Sequence, residues 1–191
     1  MEACLSRCLP ATDSLTPIYP PVDCHQPRNW DLGNGIRLRN HMPMSEVLKI
    51  YNSEIADYKS WCVERHPIDK CISHYAMLIN SPQHNEGNED LGWAEYIESR
   101  RFPIDIDKWS IGESAVVDKI FDYSKIRLEV PNYLFNEFGI PGFSLDATAK
   151  SGFRKGRVPI CDEISSYHRS IIMNEFEHSN SLLRDKGLYF E

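Results

Sequence analysis

Five prolines, Pro10, Pro17, Pro20, Pro21 and Pro27, crowd into residues 9–28. Each locks φ near about −65° and removes an amide donor, so neither a helix nor an interior strand can run through that stretch. The segment 1–29 therefore reads as an extended arm, and a single globular domain is expected over residues 30–191. With 41% apolar residues, a domain of that length buries a core without metal or disulfide staples.

Apolar spacing divides the expected domain in two. Val47, Leu48, Tyr51, Ile55, Tyr58 and Cys62 recur at helical intervals behind Ser45, which predicts a helix over 45–65 capped by Ser45 and stopped by Pro67. The run 73–79 is apolar and short and fits either a buried strand or a helical turn, and residues 80–92, rich in Asn, Gly and Glu, predict a surface loop. Residues 30–101 thus form a mainly helical part. From Phe102 on, short runs at 120–121, 126–130, 143–147 and 157–160 between Pro, Gly and Asn predict strands. A helix over 166–185 follows, ended by Gly187. The fold class is α+β, with residues 102–191 as a small antiparallel sheet, open or closing to a half-barrel, and a C-terminal helix packed on it.

A net charge of −7 argues against broad attraction to nucleic acid or to an anionic membrane, and no apolar run reaches the roughly 18 to 20 residues that span a bilayer. Glu2 and Arg7 interrupt the first ten residues, so no signal peptide is expected and the protein is expected to be made in the cytoplasm. The cysteines Cys4, Cys8, Cys24, Cys62, Cys71 and Cys161 lack the paired spacing of a structural zinc site and read as free thiols.

Chemistry concentrates near the C-terminus. The segment Val158-Pro159-Ile160-Cys161-Asp162-Glu163-Ile164-Ser165-Ser166-Tyr167-His168-Arg169 passes from an expected strand through a turn into a helix. A carboxylate there can hold a cation or orient the imidazole, His168 can move a proton near neutral pH, and Arg169 can bind phosphate oxygens through its planar fork. Free amides of the first helical turn favour an anion at the same place. Just upstream, Arg154, Lys155 and Arg157 form a basic turn suited to an anionic substrate, and Tyr167 adds a hydroxyl beside His168. The same residues can also be a solvated turn and a salt bridge that caps the helix.

The order Asp162, His168-Arg169, Ile171-Ile172 is similar to the hallmark of colicin M-type bacteriocins, in which an Asp precedes a His-Arg pair by six residues. The basic turn and the residues 143–158 before it resemble the hairpin leading into that motif, and the likeness covers roughly 102–191. The pattern's first Asp falls on Pro159 and its Tyr on Cys161, with Glu163 or Asp146 as substitute carboxylates. The resemblance implies an antibacterial toxin that hydrolyses lipid II, the undecaprenyl-pyrophosphate-linked peptidoglycan precursor, with magnesium. It makes Asp162, His168 and Arg169 catalytic, Asp162 and Glu163 metal ligands, and Arg154, Lys155, Arg157 and Tyr167 substrate contacts. It also implies a cognate immunity protein and delivery to a target periplasm by a secretion machine such as type VI. The alternative is a non-enzymatic binding protein, such as an immunity or adaptor protein, in which Asp162 and Arg169 merely pair.

Other motifs carry less. Asp105-Ile106-Asp107 has the spacing of a nucleotide-sugar DxD but equally that of an exposed strand face. Glu175-Phe176-Glu177-His178 mimics a transferase ExE, and His178 lies ten residues from His168, about 1000° of helix and off its face. Cys161 beside Asp162 is a candidate thiol nucleophile only if partners from separate elements reach it. No GxGxxG, P-loop, HExxH or GxSxG occurs.

Overall fold

A computed structural model describes residues 1–18, 25–55, 57–85, 87–146 and 151–190. Pro20, Pro21, Cys24 and Ala147 lie outside the described residues. The fold is α+β. In chain order its elements are α1 (Glu2–Leu5), β1 (Asp31–Gly33), β2 (Ile36–Arg37), α2 (Met44–Tyr51), β3 (Trp61–Glu64), α3 (Pro67–Asn80), α4 (Trp93–Ser99), β4 (Ser110–Ile111), β5 (Ser114–Ala115), β6 (Lys119–Asp122), α5 (Ile126–Phe138), α6 (Ser166–Glu175) and α7 (Glu177–Asp185). Strands pair only two by two among the described residues: β1 with β2, β3 with β6, and β4 with β5. The first and last of these pairs are antiparallel, with Asp31 opposite Arg37 and Ser110 opposite Ala115. The expected single sheet is thus three ribbons. No described helix is long and apolar enough to cross a membrane.

The chain forms two compact units, one of residues 1–63 and 107–149, the other of residues 64–106 and 150–191. In the first, Cys4, Phe121, Val130, Leu134 and Phe143 make the core, with Trp61, Ile126 and Tyr133 packed against it. Trp61 meets Phe121 edge-on at 5.6 Å, the arrangement the ring quadrupoles favour. The described part of the proline-rich segment is tied to the first residues of the chain. Its Arg28 guanidinium donates to the carbonyls of Ser6, Leu9 and Pro10, and Leu15 bridges Arg28, so residues that cannot pair along a ladder are held by one side chain.

Residues 126–130, expected as a strand, open α5 instead. Alternation over five residues is overruled by Ile126, Val130 and Leu134, whose i, i+4, i+8 spacing puts one helical face into the core and leaves Leu128 exposed. The helix tolerates Pro131 in its second turn, and Gly139 at φ 64° ends it. The expected helix over 45–65 is cut short: α2 ends at Asn52, which sits at φ 48°, and after the 3₁₀ turn Asn52–Ile55 the chain enters β3. Ser45 lies inside α2 rather than capping it.

In the second unit α3, α4 and α6 enclose Ile68, Cys71, Tyr75, Tyr96, Ile97, Ile164, Ile172 and Phe176. Pro67, expected as a stop, starts α3, where a missing N–H costs nothing, and His66 Nδ1 accepts from the Ile68 amide at 3.2 Å. The run 73–79 resolves to helix within α3. Residues 157–160 form no strand. The expected helix over 166–185 begins at Ser166, with Ser165 Oγ accepting from the His168 amide at 3.2 Å, but breaks at Phe176 into α6 and α7. Gly187, at φ 77°, follows the last turn as expected.

Candidate functional site

The junction entering α6 is a 3₁₀ turn, Cys161–Glu163, anchored by Ile164, which is buried in the core of the second unit. Arg169, in the first turn of α6, folds back over it. Its Nε donates to the Ile164 carbonyl at 3.1 Å, one Nη donates to the Cys161 carbonyl at 2.5 Å, and the same Nη lies 3.6 Å from the Cys161 thiol. The guanidinium is thus spent on main-chain carbonyls, and the Cys161 oxygen also accepts the Ile164 amide at 3.2 Å. Glu163 is likewise engaged, its carboxylate accepting from the Ile160 amide at 3.2 Å. Asp162 is exposed, and among the described residues no hydrogen bond or ion pair joins it to His168 or Arg169. The His168 ring is half-buried, edge-on to Trp93 at 6.5 Å and tilted against Tyr167 at 5.8 Å.

The structure therefore places Asp162, His168, Arg169 and Tyr167 on one turn and its helix without linking them into a hydrogen-bonded set. For magnesium, Asp162 is the carboxylate left without a partner, because Glu163 is tied to the backbone. With Glu163 turned to the Ile160 amide, the adjacent pair does not offer magnesium a two-carboxylate clamp. Among the described residues there is no group of three His, Cys, Asp or Glu able to hold a metal. Asp146, the other substitute carboxylate, belongs to the first unit. There its bond to Arg7, helped by the Cys4 thiol at 3.5 Å, holds its carboxyl well below the usual range, at about 2.

The basic turn settles against α3. Arg154 Nη1 pairs with Asp69 Oδ1 at 2.7 Å and its Nη2 donates to the Asp69 carbonyl at 2.9 Å. The other carboxylate oxygen, Oδ2, takes Arg65 Nε at 3.2 Å. Two guanidiniums from distant parts of the sequence are thus fixed on opposite oxygens of one carboxylate. That carboxylate lies in the first turn of α3, where the helix itself adds partial positive charge. Asp69, Ser73, Met77 and Asn80, at i, i+4, i+8 and i+11, share a face of α3, and Asn80 binds the backbone of the basic turn. Lys155 is exposed on that turn, and Arg157 donates to the Glu89 carbonyl.

Arg65 and Ser73 were not legible as site residues. The signal that points to them is Arg65 one residue ahead of His66-Pro67, a helix start, with Ser73 one turn beyond Asp69.

Next to that face lies a partly buried polar group that is structural. Lys70 is 3.0 Å from both Glu64 and Asp105; burial works to lower its pKa, but the two carboxylates outweigh it and the net shift is upward. Asp105, the first Asp of the DxD spacing, is used here, while Asp107 pairs with Lys108 in the 3₁₀ turn Ile106–Lys108. Tyr96 Oη lies 3.0 Å from His74 Nδ1. Burial pushes the Cys71 thiol up to about 12, so it is no nucleophile near neutral pH.

No protein-family model, curated protein or solved structure matches this chain.

Proposed function

We propose that the protein binds a phosphate-bearing ligand in its second unit, on the N-terminal half of α3, through Arg65, Arg154 and Lys155. One observation carries this reading: Arg65 and Arg154 converge on the two oxygens of Asp69 at a helix N-terminus. A carboxylate contacted by two guanidiniums marks a place where a tetrahedral dianion, with more acceptor oxygens and more charge, can compete for the same donors. The Ser73 hydroxyl, one turn on from Asp69, adds a neutral donor.

The reading is tested by titrating the purified protein with inorganic pyrophosphate in a calorimeter. The wild type is expected to bind saturably, with affinity falling as salt rises. Arg154→Ala and Arg65→Ala are each expected to weaken binding about tenfold or more, the loss of one charge-assisted contact. A wild type that shows no saturable binding, or an Arg154→Ala variant that binds as well, overturns the reading.

A narrower reading names the ligand as lipid II and the activity as the hydrolysis implied by the colicin M resemblance. It is favoured by Asp162 and His168, whose polar ends have no hydrogen-bond partner among the described residues. On this reading Asp162 and His168 work on the pyrophosphate, while Arg169 holds the turn that carries them. Wild-type protein incubated with lipid II and magnesium is expected to release the pyrophosphate-linked headgroup, and His168→Ala to lose at least a hundredfold in rate. Binding without any release leaves a non-enzymatic binding protein as the description.

A further inference from the structure

We infer that Asn80 is the positioning residue for Arg154, an inference that rests on the phosphate-site reading of the second unit. Asn80 is the last residue of α3, and its side-chain amide donates to the Phe153 carbonyl at 2.8 Å and to the Lys155 carbonyl at 3.3 Å. These are the carbonyls on either side of Arg154. An asparagine amide has two N–H donors, and both are used, one for each flank of the same residue.

The need for such a clamp follows from the local sequence. Beyond the short 3₁₀ turn Ser151–Phe153 the basic segment has neither helix nor strand to fix its path, and Gly156, at φ 67°, is the next residue but one after Arg154. The Lys155 amide donates to the Phe153 carbonyl at 2.9 Å, a tight local turn that by itself leaves the direction of the Arg154 side chain open. Asn80 ties that turn to the C-terminal end of the α3 face on which Asp69 and Ser73 lie. Arg154 then runs back along the face to meet Asp69. The backbone is held at one end of the helix and the guanidinium at the other, so the side chain is stretched over the face before any ligand arrives. Order of this kind removes rotamer freedom that binding would otherwise have to remove.

The test uses the full chain and inorganic pyrophosphate as the probe. Asn80→Leu keeps the size of the side chain but removes both donors without adding charge. It is expected to weaken pyrophosphate binding about fivefold to tenfold. The slope of affinity against salt is expected to stay as in the wild type, because the phosphate contacts are unchanged in number, whereas Arg154→Ala lowers that slope. In an Arg154→Ala background, Asn80→Leu is expected to cost nothing further. A general structural role for Asn80 would persist in that background, and such persistence overturns the inference, as does undiminished binding by Asn80→Leu. Failure of Arg154→Ala to weaken binding overturns the phosphate reading itself and is read before the Asn80 comparison. Circular dichroism checks each variant; if Asn80→Leu does not fold, Asn80→Ser, with one short donor, carries the same double-mutant comparison.

Discussion

His74 shows how one half-buried side chain sets a condition on the second unit. Its imidazole is held below its ordinary value chiefly by burial, with Arg101 adding to that effect and Asp105 opposing it, and Tyr96 is kept protonated by its own burial. Nδ1 lies 3.0 Å from the Tyr96 hydroxyl, and the lowered value favours the neutral ring in that contact. The folded state binds the proton less readily than the unfolded chain, so this contribution to stability is complete above the unfolded value of about 6.5 and is lost as pH falls below it toward the folded value. Urea unfolding at pH 7.5 and pH 5.5 is expected to show a drop in midpoint that His74→Gln reduces. The variant itself costs about 1 kcal/mol at the higher pH, the worth of one buried hydrogen bond. Equal pH dependence in the two proteins would remove His74 as its source.

At the scale of elements, the junction into α6 is stabilised by its own side chains. Ser165 supplies the cap, Arg169 takes the Cys161 and Ile164 carbonyls, and Glu163 takes the Ile160 amide. Ser165→Ala is expected to cost about 1 kcal/mol and Arg169→Ala about 1 to 2 kcal/mol, with Asp162→Ala and His168→Ala near neutral, all measured by thermal unfolding. Arg169→Lys is expected to restore little, because one ammonium cannot span two carbonyls as the planar fork does. An Arg169→Ala variant as stable as the wild type would contradict this assignment.

These elements also show where periodicity in the chain was readable. The start of α6 followed from helical spacing after Ser166, and the glycine after α7 from local capping chemistry, which acts over three or four residues. The α5 segment was misread because Ile126-Arg127-Leu128-Glu129-Val130 satisfies an alternating pattern until Leu134, beyond Pro131, joins the same face.

For the whole molecule, the consequential fact is that neither unit is continuous in sequence. The core of the second unit joins Ile68, Tyr75 and Tyr96 from one segment to Ile164, Ile172 and Phe176 from another. A division at residue 102, natural on composition, cuts through both cores. The fragment 102–191 is accordingly expected to be unfolded when expressed alone, with no cooperative thermal transition, because Ile172 and Phe176 would lose the partners that bury them. A cooperative transition from that fragment would show that its residues suffice for a core. The proposed phosphate site has the same origin, since Arg65 and Arg154 meet only after the two segments of the unit fold together.

By itself the sequence determined what depends on neighbours along the chain: the α+β class, the helical face that opens with Ser166, the glycine stop at Gly187, and the basic character of the turn at Arg154. Only the tertiary structure decided where long side chains were spent. An arginine reaches whichever acceptor lies within several ångströms of its end, so Arg169 went to the carbonyls beneath it, and Arg154 went to a carboxylate 85 residues away along the chain. Local pattern can name such donors, but the choice of acceptor belongs to the packed fold.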